Sequence, residues 1–109
     1  MKPSQLLRDV RYLGEAEGDR KTYYVFETSA RYLVLGASSG GGYYLNAVDK
    51  KDPERVTERF RGKQVTTTLL KSMFQSSLAA LNVLYVMVAL RRARKLKKRQ
   101  GKAMVFKIR

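Results

Sequence analysis

The sequence predicts an α+β fold, with a small antiparallel β-sheet in the N-terminal region and three helices with a basic β-hairpin in the C-terminal region. Between residues 22 and 48 there are three short runs rich in aromatic and β-branched residues, separated by Ser or Gly, as expected for antiparallel strands. From residue 52 onward, apolar residues recur at helical spacing and alternate again near the C-terminus. We therefore expect two regions, 1–50 and 53–109, in a chain of 109 residues that is short enough for one compact unit.

The first segment of the N-terminal region fits two secondary structures. Leu6, Val10 and Leu13 have the spacing of a helix capped by Ser4, whereas Val10 and Tyr12 fit a strand that leads into a loop at 14–18. The next three segments are clearer, and we expect strands at 22–28, 31–35 and 43–48. The glycine-rich stretch 36–42 resembles a nucleotide-binding turn, but a strand follows it rather than a helix, so a hairpin loop is favoured.

The first helix of the C-terminal region has clear start and stop signals. Asp52 is expected to cap it, Pro53 suits the first helical position, and Glu54 lies near the positive end of the helix dipole. Val56 and Phe60 then share one face. Gly62 is expected to close the helix, because glycine readily adopts the left-handed conformation found after helix ends.

Two further helices and a hairpin complete the predicted order. The second helix is expected to be capped within 65–68 and to carry apolar residues as far as Phe74. A turn at 75–77 then caps a third helix, which extends from residue 78 to about residue 92. The dipeptide at 100–101 separates two basic stretches and predicts a hairpin, whose second strand alternates apolar residues at 104, 106 and 108 and is expected to be half-buried.

Charge is distributed very unevenly along the chain. The formal net charge is +14. Residues 1–60 contain ten basic and nine acidic side chains, whereas residues 61–109 contain 13 basic side chains and no acidic one, Glu58 being the last. The density is greatest at 91–102, where eight of twelve residues are Lys or Arg. Such a field attracts polyanions: nucleic acid, anionic lipid or an acidic protein. A solvated face kept for solubility is the simpler alternative, although such faces usually mix both signs of charge.

Composition excludes several classes of chemistry. The chain has no histidine and no cysteine. Disulfide scaffolds, thiolate or imidazole metal sites, and Ser-His-Asp or Cys-His catalysis are therefore excluded. We predict no catalytic residue, no metal site and no cofactor. No apolar run follows Met1, so we expect no secretory signal.

One enzymatic alternative remains open. Asp49 and Lys51 form a carboxylate–x–lysine pattern at a strand end, with Glu27 on an earlier strand. This arrangement resembles the metal site of PD-(D/E)xK nucleases, in which two carboxylates hold Mg²⁺ and the lysine stabilises developing charge. A turn followed by a helix cap explains the same residues.

The C-terminal element order resembles a winged helix-turn-helix domain. The resemblance covers about residues 53–109 and rests on the stretch LNVLYVMVALRRARKLKKRQGKAMVFKI at 81–108. A leucine-rich helix is followed there by a basic strand, a glycine turn and an aromatic return strand. The resemblance implies binding to double-stranded DNA, with the hairpin as the wing. It is a resemblance of residue types and contains no signature motif.

The third helix departs from the winged-helix pattern. The face of this helix that would read bases carries Ala80, Val83 and Met87, where a base-reading surface would have Asn, Gln or Arg. A helix that is apolar all round is buried on several sides. We therefore expect it to pack on the N-terminal sheet or on a second copy, which would make a homodimer through residues between Leu78 and Leu90.

Double-stranded DNA, contacted mainly through its phosphates, is the favoured partner. The protein would be a transcriptional regulator or a nucleoid-associated protein of the cytoplasm. The residues expected to contact nucleic acid are Lys71, Gln75, Ser76, Ser77, Arg91, Arg94, Lys95, Lys97, Lys98, Arg99 and Lys102. RNA or the ribosome is the nearest alternative. A membrane role is another, because the uncharged stretch 72–90 precedes the basic cluster.

Overall fold

The computed structural model describes residues 9–109, which contain seven strands and three helices in a small α+β fold. The strands are β1 Arg11–Glu17, β2 Thr22–Glu27, β3 Arg31–Ala37, β4 Tyr43–Asp49, β5 Gln64–Val65, β6 Ala93–Gln100 and β7 Ala103–Ile108. The helices are α1 Asp52–Phe60, α2 Thr67–Leu70 and α3 Ser77–Ala89.

The first four strands form an antiparallel sheet in the order β1-β2-β3-β4. This confirms the three strands predicted between residues 22 and 48. The loop predicted at 14–18 is wrong for most of its length, because β1 continues through Gly14 and ends at Glu17. Gly14 pairs with Val25 just after a bulge in β1, and its Cα hydrogen faces Ala89 at the end of α3. Of the ambiguous first segment, residues 1–8 lie outside the described part of the chain.

α1 lies where the sequence predicts it, but its cap differs. Lys51 occupies the N-cap position and makes no side-chain capping bond, so the prediction that Asp52 caps the helix is wrong. The turn before the helix is instead closed by Asp49, whose Oδ1 accepts from the Lys51 backbone N–H at 2.9 Å. The chain therefore enters the helix one residue early. Gly62 has φ +78° after the last turn and ends the helix as predicted.

α2 and α3 have the predicted caps but are shorter than expected. Thr66 Oγ1 accepts from Leu69 N at 3.2 Å, and Ser76 Oγ accepts from Ala79 N at 3.1 Å. α2 ends at Leu70, and the chain then turns so that Phe74 is buried without being helical. α3 ends at Ala89 rather than near residue 92, because Arg91 adopts the left-handed conformation, with φ +61°.

The last two strands form the predicted hairpin, and a short strand joins it. The second sheet has the order β5-β7-β6, with Gln64 opposite Lys107 and Val65 opposite Phe106. β5 was not predicted, because a strand of two residues carries no alternation signal. Phe106 and Ile108 are fully buried, so β7 is buried more deeply than the half-buried strand expected.

α3 joins the two regions through one core. It packs against all four strands of the first sheet and also against α1, α2 and β6. Ala80 and every residue from Asn82 to Met87 are buried. The hydrophobic core is one cluster that runs from Ala16 in β1 to Ile108 in β7. The apolar surface that suggested a homodimer through α3 is therefore covered by the chain's own sheet.

Candidate nucleic-acid interface

The hairpin of β6 and β7 carries a bulge at its most basic point. Lys95 pairs with Phe106, and Arg99 pairs with Met104. Leu96, Lys97 and Lys98 therefore lie opposite Val105 alone, which leaves two extra residues on β6. Such a bulge bends and twists a strand. Lys97 and Lys98 are exposed at this bend.

Two of the basic residues expected to contact phosphate bind another part of the chain instead. Lys95 Nζ donates to the Gly18 carbonyl at 3.2 Å. Arg99 holds Asp19 with two hydrogen bonds, Nη1 to Oδ1 at 2.6 Å and Nη2 to Oδ2 at 3.2 Å, and also donates to the Lys102 carbonyl. These contacts tie β6 to the β1–β2 turn. Lys95 and Arg99 therefore also act as an internal anchor, and their contact with phosphate stays a prediction.

The anchor perturbs both of its charged partners. The hydrogen bond from Arg99 lowers the pKa of Asp19, with smaller contributions from the charges of Arg99, Lys95 and Arg20. The same hydrogen bond raises the pKa of Arg99. Each group therefore favours the charged state of the other, and the anchor is strongest when Asp19 is ionised.

The remaining basic residues keep their charge available. Within residues 9–109 the ion pairs are Arg11–Glu27, Lys50–Glu27, Arg55–Asp52 and Arg99–Asp19. None of these involves Arg91, Arg94, Lys97, Lys98 or Lys102, and all five of these residues are exposed. A surface with this many uncompensated cations is suited to a polyanion.

Arg91 and Arg94 lie where α3 passes into β6. A cleft of about 590 Å³ there is lined by both arginines, Lys95 and Arg109, and by Glu15 and Glu17 of β1. A second cleft, of about 560 Å³, brings Arg91, Arg92, Arg109 and Arg61 together with Glu54 and Glu58. The two glutamates in each cleft partly offset its positive charge. The positive charge is offset less at the bulge, because no acidic residue lines the cleft beside Lys98 and Arg99.

A third cleft, of about 630 Å³, separates the hairpin from α2 and was not predicted. Gln64, Thr66, Thr68 and Leu69 line one side of it, and Lys98, Arg99 and Gln100 line the other. The hydroxyl of Thr66 is occupied by the α2 cap, whereas Thr68, which also lines the cleft, is exposed. Only the pairing of β5 with β7 brings α2 beside the hairpin, and that pairing has no sequence signal.

The other predicted contact residues lie at the opposite end of α3. Lys71, Gln75, Ser76 and Ser77 are all exposed between α2 and the first turn of α3. A helix of 13 residues is about 20 Å long, so this group is separated from Arg91 by roughly that distance. Ser76 also caps α3, which occupies its hydroxyl. The predicted residues thus form two surfaces rather than one.

The carboxylates of the nuclease alternative are not brought together. Glu27 pairs with Tyr32, which pairs with Val48, so Glu27 is on the face of the sheet opposite to that of Asp49. Glu27 is also held by Arg11 and by Lys50, whose hydrogen bond lowers its pKa. No group of three or more acidic side chains suited to a metal ion occurs within residues 9–109.

The tyrosine pairs of the sheet divide between its two faces. Tyr23 and Tyr44 point inward: Tyr44 Oη donates to Tyr23 Oη at 3.1 Å, and the Tyr23 ring stacks on Tyr85 of α3 with 4.4 Å between centroids. Burial raises the pKa of Tyr23 to about 12, and it also raises that of Tyr85. Their neighbours in the sequence, Tyr24 and Tyr43, are exposed on the outer face of the sheet. The inward pair packs α3 and is unavailable for stacking on bases.

No protein-family model, no curated protein and no solved structure matches the chain. Along residues 9–109, we find no helix that combines the length and the apolar character needed to cross a bilayer. Function is therefore argued from the geometry and charge of the interface.

Proposed function

We propose that the chain binds double-stranded DNA mainly through its phosphates, with the basic hairpin as the principal contact surface. The observation that carries this proposal is the exposed cluster of Arg91, Arg94, Lys97, Lys98 and Lys102, which has no ion-pair partner within residues 9–109. Neutralising phosphates with such residues releases condensed counterions, and this release supplies most of the sequence-independent affinity for DNA.

The element order supports a winged-helix arrangement. A helix, a short strand, two helices and a hairpin follow one another, and the short strand pairs with the second strand of the hairpin. In this arrangement the hairpin would be the wing. Its tip turns at Gly101, which takes φ +62° and, apart from its chain neighbours, has no atom within 4 Å of where a Cβ would stand, so a phosphate backbone can approach this side of the turn.

The burial of α3 argues against base reading by that helix. A recognition helix presents one face to the major groove, whereas α3 exposes only Ser77 and Leu78 at its first turn. Direct contacts to base edges would be confined to this turn and to Gln75 before it. We therefore propose binding with little sequence preference, as suits a nucleoid-associated protein of the cytoplasm better than an operator-specific regulator.

Charge reversal at the bulge tests the proposal. The double variant Lys97→Glu with Lys98→Glu should weaken binding to all duplex sequences by a similar factor and lower the salt slope by about two, because each lysine accounts for about one phosphate contact. Fluorescence anisotropy with several labelled duplexes measures both effects.

The matched control changes charge equally on the other region. Arg31→Glu with Lys51→Glu replaces two exposed cations that lie outside the hairpin, and it should leave the salt slope nearly unchanged. Equal losses in the two double variants would mean that net charge alone attracts DNA. An unchanged affinity in the hairpin variant would remove the wing from the interface.

A further inference from the structure

The outer face of the first sheet is apolar, although the inner face already packs on the core. Side chains alternate along each strand: Val25, Val34 and Val48 point inward and are buried. The apolar outward residues are Tyr12, Tyr24, Phe26, Leu33, Leu35, Ala37, Tyr43, Leu45 and Ala47, and the same face carries polar residues toward its edges, namely Glu15, Glu17, Thr22, Arg31 and Asp49. An antiparallel sheet with one buried face usually has a polar second face. The outer face of this sheet is therefore suited to packing against a second layer.

The apolar residues of this outer face are contiguous. The strand register aligns Tyr24, Leu35 and Leu45 in one row and places Phe26 and Leu33 in the next. Ala47 and Tyr12 complete the second row, in which the rings of Tyr12 and Phe26 lie 5.3 Å apart. Tyr43 is 71% exposed, Leu45 57% and Tyr12 51%. Single exposed apolar residues are ordinary, but a contiguous patch of this kind marks an interaction surface.

The size of the outer face is suited to a dimer. Four strands about 4.8 Å apart and seven residues long cover roughly 450 Å². Two copies would remove about 900 Å² of such surface, close to the roughly 1,000 Å² at which specific interfaces begin. A two-fold dimer brings the same patch of both copies together, and two sheets stack about 10 Å apart in β-sandwiches.

Charge disfavours a nucleic-acid strand on the same face. Its central rows contain no Lys or Arg, and its rim carries three acidic residues, Glu15, Glu17 and Asp49, with the cation Arg31 opposite Asp49. The basic hairpin contacts Gly18 and Asp19 at the β1–β2 turn and does not reach across the face. An apolar centre within a charged rim is the usual anatomy of a protein–protein interface.

We propose that two copies of the chain pack through the outer faces of β1–β4 and form a two-layered β-sandwich with α3 on each outside. This dimer uses a surface other than α3 and is independent of DNA binding. It leaves both basic hairpins free.

Mass measurement on the full chain tests the dimer. Light scattering between about 1 and 100 µM should give twice the 12.5 kDa mass of the chain at the upper end. Leu45→Glu should raise the dissociation constant at least about tenfold, because it places like charges in an apolar interface. Leu78→Glu is the matched control: Leu78 is also 57% exposed but lies on α3, and this variant should dimerise like the wild type.

Three outcomes overturn the proposal. The first is a wild-type mass of one chain at every concentration. The second is an equal loss of dimer in the Leu45 and Leu78 variants. The third is a monomer whose tyrosine fluorescence is quenched by a single-stranded oligonucleotide, which would assign the face to base stacking. If far-UV circular dichroism shows that Leu45→Glu is unfolded, Tyr43→Lys on the same face replaces it as the deciding variant.

Discussion

At the level of single residues, the chain assigns its cations to two roles. Lys95 and Arg99 bind Gly18 and Asp19. Lys97 and Lys98, which lie between these two residues in β6, are exposed. All four looked equivalent in sequence, since each is a basic residue in one basic strand. The contacts that distinguish them span 77 and 80 residues of chain, and no local pattern encodes so distant a partner.

The anchor between Asp19 and Arg99 should depend on pH. The pKa of Asp19 is lowered in the folded protein, so its contribution to stability is present above the ordinary aspartate pKa of about 4 and is lost as the pH falls through the lowered value. Asp19→Asn should therefore lower the melting temperature at pH 7, and the difference from wild type should shrink towards pH 3. Thermal unfolding at both pH values measures this. A difference that stays constant with pH would show that the ionised carboxylate contributes nothing.

At the level of helices and strands, the features set by neighbouring residues were predicted correctly, whereas the features set by tertiary packing were not. The caps at Thr66 and Ser76, the helix end at Gly62 and the turn at Gly101 follow from short-range geometry and are confirmed. The length of α2 and the existence of β5 depend on packing against the hairpin. Phe74 illustrates the limit: its spacing fits a helix, but its burial is achieved in a turn.

We expect the stability of the protein to be most sensitive to shortened side chains in α3. Leu84 is fully buried in the core, so Leu84→Ala should destabilise the protein by about 2–5 kcal/mol through lost burial and the cavity it leaves. Leu78→Ala on the same helix is the control and should cost under about 0.5 kcal/mol, because Leu78 is mostly exposed. Urea unfolding gives both values. Equal losses would contradict the placement of α3 in the core.

At the level of the whole molecule, the charge asymmetry could be predicted because counting charges requires no fold. The α+β class and the order of the main elements also followed from sequence. The surface that the charges form could not be predicted, since it depends on the bulge in β6 and on the turn of Arg91 out of α3. The apolar outer face was missed for a related reason: the tyrosine runs reveal two faces, but not which of them the third helix covers.

The measurement that tests the central claim most directly is a salt titration of wild-type protein against a labelled random DNA duplex of about 25 base pairs. Matched RNA duplex and single-stranded DNA are titrated beside it between about 50 and 300 mM salt. We expect tight duplex-DNA binding at low salt, with the logarithm of the binding constant falling by several units per tenfold increase in salt, and weaker binding to RNA. Negligible duplex binding at the lowest salt would contradict the account and would direct attention to lipid or acidic protein as the partner of the basic hairpin.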